Sequence, residues 1–478
     1  MGITKESDLK ISTLFVKIML LIGLLMVFIV PPFQMADEDS HFKKAFLVST
    51  GVLFSETNPD GVKGNYLPNA VLNFEDSHRY LINNINNKYN FEKFYLSSSL
   101  PVDYTEKTFV SYSTMHTNPI LYIPQAIFMF LTRVLFYLFG MGNSSIPTPA
   151  TYMYAGRIGN LLFYMGCMYF SLKYIPFYKR LVFLLAIMPM SISLASSLSY
   201  DAMVIGVCFL TTSLILYLVF NNELERITKK WLVVLVTISI VLIELKQVYY
   251  PLILMLIFIP STKFITFKRK IFYTSAIIGT GVLAHLIWML ISATASPAAT
   301  ESSYVKDQLF FILSHPFEYI VILARTVKEL MFFYLNSFVG NLGWLDTNFP
   351  PLFIFLYLLI LIFVAIVDTN NKIRLTYKFK LLFSAIFVMI FILVETSLYL
   401  VWTSLPEIGG VGHEIVSGVQ GRYFIPFVLL LLALLYSNKF PDSIKEKIIT
   451  IMDRYISTFA YFCCGLTLFV LIVRYWVS

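Results

Sequence analysis

The chain has 478 residues, of which 58% are hydrophobic and only 13% charged, and its mean hydropathy is +0.74. A soluble protein of this size needs far more charge to cover its surface, so a water-soluble enzyme or binding module is excluded. The net charge of +8 is scattered through short loops and forms no nucleic-acid patch; it reads as a basic fringe beside anionic lipid.

The apolar residues fall in blocks long enough to be spans, each near the roughly 20 residues that cross a hydrocarbon core. The first, residues 14–30, lacks a small-residue cleavage site and is followed by more blocks, so it reads as a retained helix. The others cover 122–140, 153–173, 181–199, 202–220, 231–245, 248–260, 271–291, 352–367, 381–402, 423–436 and 457–473. Block 122–140 carries Pro124, Gln125 and Arg133 and suits a helix at the interface or against protein. With that block left uncrossed, about eleven spans remain. The basic clusters Lys173/Lys179/Arg180, Arg226/Lys229/Lys230, Lys263/Lys268/Arg269/Lys270, Lys372/Arg374/Lys378/Lys380 and Lys439/Lys445/Lys447/Arg454 then join Lys5 and Lys10 in the cytoplasm. If it crosses, every later loop changes side.

This threading sends most of the acids, and every histidine except His285, to the outside. They gather in a first external loop, 31–152, a second long loop, 292–350, and a short one, 403–421. Loops of that length are usually functional or folded. Cys167, Cys208, Cys463 and Cys464 lie in the blocks read as spans, so neither a disulfide framework nor a thiol nucleophile is supported. No internal repeat, phosphate-gripping glycine loop or appended soluble domain is visible, and residues 1–478 read as one membrane domain.

The densest polar cluster follows the first block: Pro31-Pro32-Phe33-Gln34-Met35-Ala36-Asp37-Glu38-Asp39-Ser40-His41. The prolines end the helix, and Asp37 and His41 are spaced to share one face of the next. Carboxylates crowded at a membrane surface have raised proton affinity, which suits a general base. The plainer reading is a helix start capped by acids. Glu38, Asp39 and His41 also offer ligands to a divalent cation, at a spacing that is not diagnostic.

Asp201 opens the block after Leu198-Ser199-Tyr200, where capping is its plain role. Lys246, in Glu244-Leu245-Lys246-Gln247, stands where it can face a lipid phosphate, snorkel, or pair with Glu244. Arg422 starts a block on the outer side, against both the positive-inside trend and the helix dipole, so it binds an anion or pairs with an acid. Glu395 is an intramembrane acid, functional by default or structurally paired. His116 and His315 are external and read singly as loop histidines; Trp344, near Asp346, suits an interfacial anchor.

Taken together, four segments resemble the bacterial domain-of-unknown-function family 2142, grouped with the glycosyltransferase-C superfamily. They are Pro32-Phe33-Gln34-Met35-Ala36-Asp37-Glu38 with His41, Ser197-Leu198-Ser199-Tyr200-Asp201-Ala202, Gly343-Trp344-Leu345-Asp346-Thr347 and Gln420-Gly421-Arg422-Tyr423-Phe424-Ile425-Pro426. Each is weak alone; their order and placement carry the likeness, with Ala36 standing where the family often has proline. The resemblance implies an all-α polytopic membrane protein of glycosyltransferase-C type, with interfacial helices in its external loops. It implies transfer of a sugar from a polyprenyl-phosphate-linked donor to an envelope glycan, outside the plasma membrane of a bacterium.

On that resemblance Asp37 deprotonates the acceptor hydroxyl, Glu38 orients the acceptor or an ion, and Asp201 supports the site. Lys246 and Arg422 hold the lipid phosphate, and His41, His116 and Asp346 contact substrate. The rival expectations are a transporter or flippase of a lipid-linked saccharide, a polysaccharide polymerase or ligase, and a membrane scaffold.

Overall fold

The computed structural model describes residues 2–140, 146–295, 303–439 and 441–477, with the side chain of Lys5 outside that description. The chain is a helical bundle with little sheet, as its apolar blocks demand. Among the described residues six helices are long and apolar enough to cross a membrane: Lys10–Ile29, Pro119–Phe139, Asp201–Phe220, Phe267–Ala293, Tyr377–Thr403 and Ser443–Tyr475. A seventh arises if Ser303–Ser314 and Pro316–Val339, bent by 104° to one another, count as one.

That is fewer than the roughly eleven the apolar blocks suggest by length. All but one of the missing ones are helical but short or interrupted. Pro189 divides block 181–199 into Lys179–Ala186 and Pro189–Ala195, and Pro251 and Pro426 fall inside the 3-10 helices Gln247–Phe258 and Gly421–Phe427. A proline lacks the amide donor and clashes with the turn before it, which explains why these stretches tighten or break. Pro149–Tyr174 is long, but carries Arg157 and Asn160 on its buried face.

Pro149–Tyr174 and Asp201–Phe220 pack together at the centre of the bundle. Ile123–Phe139 runs antiparallel to the first of these. Gln125 Nε2 donates to Asn160 Oδ1 at 3.0 Å, Met129 fills the space above Gly156, and Arg133 lies over Tyr152. The pairing therefore uses only the first half of Pro149–Tyr174.

The bundle has two chemically different ends. At one, Asp201 opens its helix. At the other, Lys263 Nζ donates to the carbonyls of Leu218 and Asn221 at 2.6 and 2.8 Å, where that same helix stops. Lys380 closes the segment after Arg422 in the same way, donating to Leu434 and Tyr436 at 2.7 and 2.9 Å. These two lysines thus cap carbonyls left over at helix ends. The loop of residues 31–152 folds over the Asp201 end, with a three-stranded antiparallel sheet of Glu56–Thr57, Lys63–Pro68 and Lys107–Val110.

Candidate functional site

The prolines after the first span do end it: Leu24–Ile29 stops at Val30, whose backbone turns extended. The chain then makes a tight loop with two non-glycine residues in the left-handed region, Phe33 at φ 63° and Asp37 at φ 61°. Such conformations cost on the order of 1 kcal/mol and persist only where surroundings impose them. The surroundings are visible. Trp344 Nε1 donates to the Phe33 carbonyl at 2.9 Å, and the Tyr475 hydroxyl to that of Gln34 at 3.3 Å.

Glu38 begins the next helix, Glu38–Ser49, and is fully buried. Arg157 Nε and Nη2 donate to its two carboxylate oxygens at 2.8 and 2.6 Å, and the Leu198 amide adds a bond of 3.0 Å. Arg157 also donates to the carbonyls of Val27, Val30 and Pro31 at 2.9, 2.7 and 3.0 Å. Every guanidinium N–H is therefore used. Glu38 is thus wholly enclosed and engaged by Arg157 and the Leu198 amide, and it ties three segments together.

Asp37 faces outward, its side chain 52% exposed. It does not cap the helix, for its side chain accepts no cap hydrogen bond. Its Oδ2 lies 3.4 Å from Arg422 Nη2. Asp201 does not cap either: it is the first residue of its helix, Tyr200 holds the N-cap position with no side-chain cap bond, and the Asp201 amide donates to Ser199 Oγ at 3.2 Å. The Asp201 Oδ2 stands 3.5 Å from Arg422 Nε, an ion-pair approach without a hydrogen bond, and that buried Nε has no hydrogen-bond partner. Arg422 is 5% exposed, so an unfilled donor there is costly.

Lys246 completes the cluster. Its ammonium lies 4.6 Å from the Tyr423 ring centre, 5.8 Å from Tyr200 and 6.0 Å from Tyr249. Glu244 is not its partner: that carboxylate accepts from Asn118 Nδ2 at 2.6 Å and approaches His285 at 3.4 Å. Among the described residues Lys246 has neither a carboxylate nor a hydrogen-bond acceptor, only aromatic faces. Aromatic rings stabilise a cation without neutralising it, which leaves its charge available to an anion.

His41 lies beneath this group, its Nδ1 2.8 Å from the Tyr122 hydroxyl and its ring edge-on to Tyr200. Burial holds it below the ordinary histidine range, against the opposing pull of Asp37 and Asp201. The structure thus gathers Asp37, His41, Asp201, Lys246 and Arg422 from four distant segments.

Two expected members stand elsewhere. His116 lies by the three-stranded sheet, its Nδ1 3.4 Å from Ser55 Oγ; burial, with Lys63 and Lys44 nearby, lowers its proton affinity. Asp346 is bound to Arg474 at 2.5 Å and closes the end of the last helix. The suggested cation ligands are likewise divided, Glu38 to Arg157 and Asp39 to Lys43 at 3.5 Å. Among the described residues no group of three or more His, Cys, Asp or Glu is arranged to hold a metal.

No curated protein and no solved structure matches this chain. The sequence pattern of DUF2142, described as a predicted membrane protein, matches residues 20–431, from the first span through the Arg422 segment, and the chain belongs to that family.

Proposed function

We propose that the chain is a glycosyltransferase of the glycosyltransferase-C type, taking a sugar from a polyprenyl-phosphate donor and placing it on an envelope glycan. The observation that carries this reading is Arg422, buried between Asp37 and Asp201 with one donor unfilled, beside an ammonium that no carboxylate contacts among the described residues. Two cations at one end of a membrane bundle suit a phosphate whose lipid tail stays among the helices. On this reading the bond from the sugar's anomeric carbon to the phosphate oxygen breaks, and the acceptor's hydroxyl oxygen forms the new one. Asp37, the exposed carboxylate, takes the hydroxyl proton. Arg422 and Lys246 balance the charge that grows on the departing phosphate. Asp201 holds Arg422 in place, and Glu38 holds the loop.

The same reading counts the short apolar helices as crossings or paired half-crossings, about eleven in all. It puts the N-terminus in the cytoplasm of a bacterium and the site outside its plasma membrane. A transporter of the lipid-linked saccharide is the alternative. The helix pair bent by 104° and the buried Glu395, with one oxygen unpartnered, favour it.

Envelope sugar analysis of a deletion strain separates the two. The strain is complemented with wild type or with Asp37→Asn at equal membrane levels. Loss of one glycan substituent that wild type restores and Asp37→Asn does not is the expected result. Full restoration by Asp37→Asn removes the base from the mechanism and favours transport.

A further inference from the structure

The helix Pro316–Val339 does not run alongside the spans. Tyr319 and Tyr334 are fifteen residues apart, about 22 Å of helix rise. Yet their hydroxyls reach adjacent residues of one span: Tyr319 bonds Thr396 Oγ1 at 2.6 Å, and Tyr334 donates to Glu395 Oε1 at 3.0 Å. Two parallel helices would separate those contacts by several turns. The helix therefore crosses the end of Tyr377–Thr403 steeply, below its last residues.

Three faces follow from the side chains. Tyr319, Ile322, Thr326, Tyr334 and Ser337 point into the protein. Glu318, Arg325 and Glu329 recur on a second face, where Arg325 pairs with Glu414 at 2.8 Å. Phe317, Ile320, Val321, Met331, Phe332 and Leu335 form the third, with Phe317 83% and Phe332 85% exposed. Lys328 falls within that apolar stripe, on a stem long enough to carry its charge aside. A core face, a charged face and a bare aromatic face, in that order, describe a helix at a water–lipid boundary. The neighbouring surface agrees: Val401 and Trp402, at the end of the crossed span, are 60% and 47% exposed.

We infer that Pro316–Val339 lies in the membrane plane at the Asp37 end of the bundle, seated on lipid through Phe317 and Phe332, and does not cross the bilayer. The seat bears on the site, because this helix holds the Arg422 segment. The Gly421 amide donates to Ser337 Oγ at 2.8 Å, and a side chain at Gly421 would strike the Tyr334 carbonyl.

The test is spin labelling of the full chain in proteoliposomes of phosphatidylethanolamine and phosphatidylglycerol. Single cysteines replace Phe317, Phe332 or, as control, Glu329, in a chain whose own four cysteines are buried. Labels at Phe317→Cys and Phe332→Cys are expected to be relaxed by dissolved oxygen well above a water-soluble nickel chelate, at a depth just under the headgroups. The label at Glu329→Cys shows the reverse preference. Nickel-dominated relaxation at the two aromatic positions overturns the inference, as does a depth at the bilayer centre. So does a label that neither relaxant reaches, which means a protein covers the face. None of these outcomes depends on sugar transfer.

Discussion

Asp37 has a side chain 52% exposed while its neighbour Glu38 has none exposed, so removing either charge has a different cost. Glu38→Gln leaves Arg157 buried with an uncompensated charge, and is expected to destabilise by about 3–5 kcal/mol. Asp37→Asn removes a solvated charge at a long contact, and should stay within about 0.5 kcal/mol of wild type. Thermal unfolding of the purified protein in detergent reads the difference. A comparable loss from both variants would make Asp37 structural.

The sequence makes Asp37, His41, Asp201, Lys246 and Arg422 conspicuous because a polar residue at the lip of an apolar block has few reasons to be there. Arg157 stayed hidden inside a block read as a span, although an arginine at that depth is itself a signal. Tyr200, Tyr249 and Tyr423 are three of 30 tyrosines, and nothing local marks them as a cage. His116 and Asp346 have suitable chemistry and lie outside the apolar blocks; only packing reveals that each is engaged elsewhere.

At the scale of elements, the acidic loop is held by pieces that sequence order scatters. His78 lies under it, with Nδ1 2.8 Å from the Phe74 carbonyl and its ring against Phe33. Burial lowers its pKa from 6.5 to about 4. As pH falls through 6.5 the unfolded chain takes a proton that the folded chain refuses until about 4. Stability is therefore full above 6.5 and falls between those values, by on the order of 3 kcal/mol. Unfolding midpoints at pH 7 and pH 4.5 test this, and His78→Gln should lose less on acidification than wild type. If both fall equally, other groups carry the acid sensitivity.

Gly421→Ala tests the other support. The added carbon displaces either the Pro316–Val339 helix or Arg422, and the proposed transfer activity should fall well below wild type while the protein still folds. Unchanged activity would separate that helix from the site. These couplings are not legible in the sequence, because periodicity gives a helix and its apolar face but not what it crosses. Where prolines interrupt an apolar block, length also misleads: blocks 181–199 and 423–436 look like simple spans and are broken helices.

Across the whole molecule, charge and aromatic residues define the same axis. Four of the 5 tryptophans sit at the end that carries Asp37. Trp288 stacks on Phe54, Trp344 donates to Phe33, Trp402 ends its span, and Trp476 donates to the Ile29 carbonyl at 2.8 Å. Trp231 is at the other end against Tyr174 and Tyr217, near the carbonyl-capping lysines. Aromatic belts mark membrane interfaces, and basic loops mark the cytoplasmic one, so this axis predicts that Asp37 faces out. Whether Pro119–Phe139 crosses decides the parity, and its packing along half of Pro149–Tyr174 favours no crossing. Cysteine labelling in intact cells settles the direction. The four native cysteines are free and buried, so background is low. Glu414→Cys, at a side chain 80% exposed, should react with a membrane-impermeant maleimide in whole cells. Lys372→Cys, exposed among the basic residues, should react only after permeabilisation. The opposite pattern would turn the bundle over, place Arg422 and Lys246 in the cytoplasm, and exclude an external acceptor.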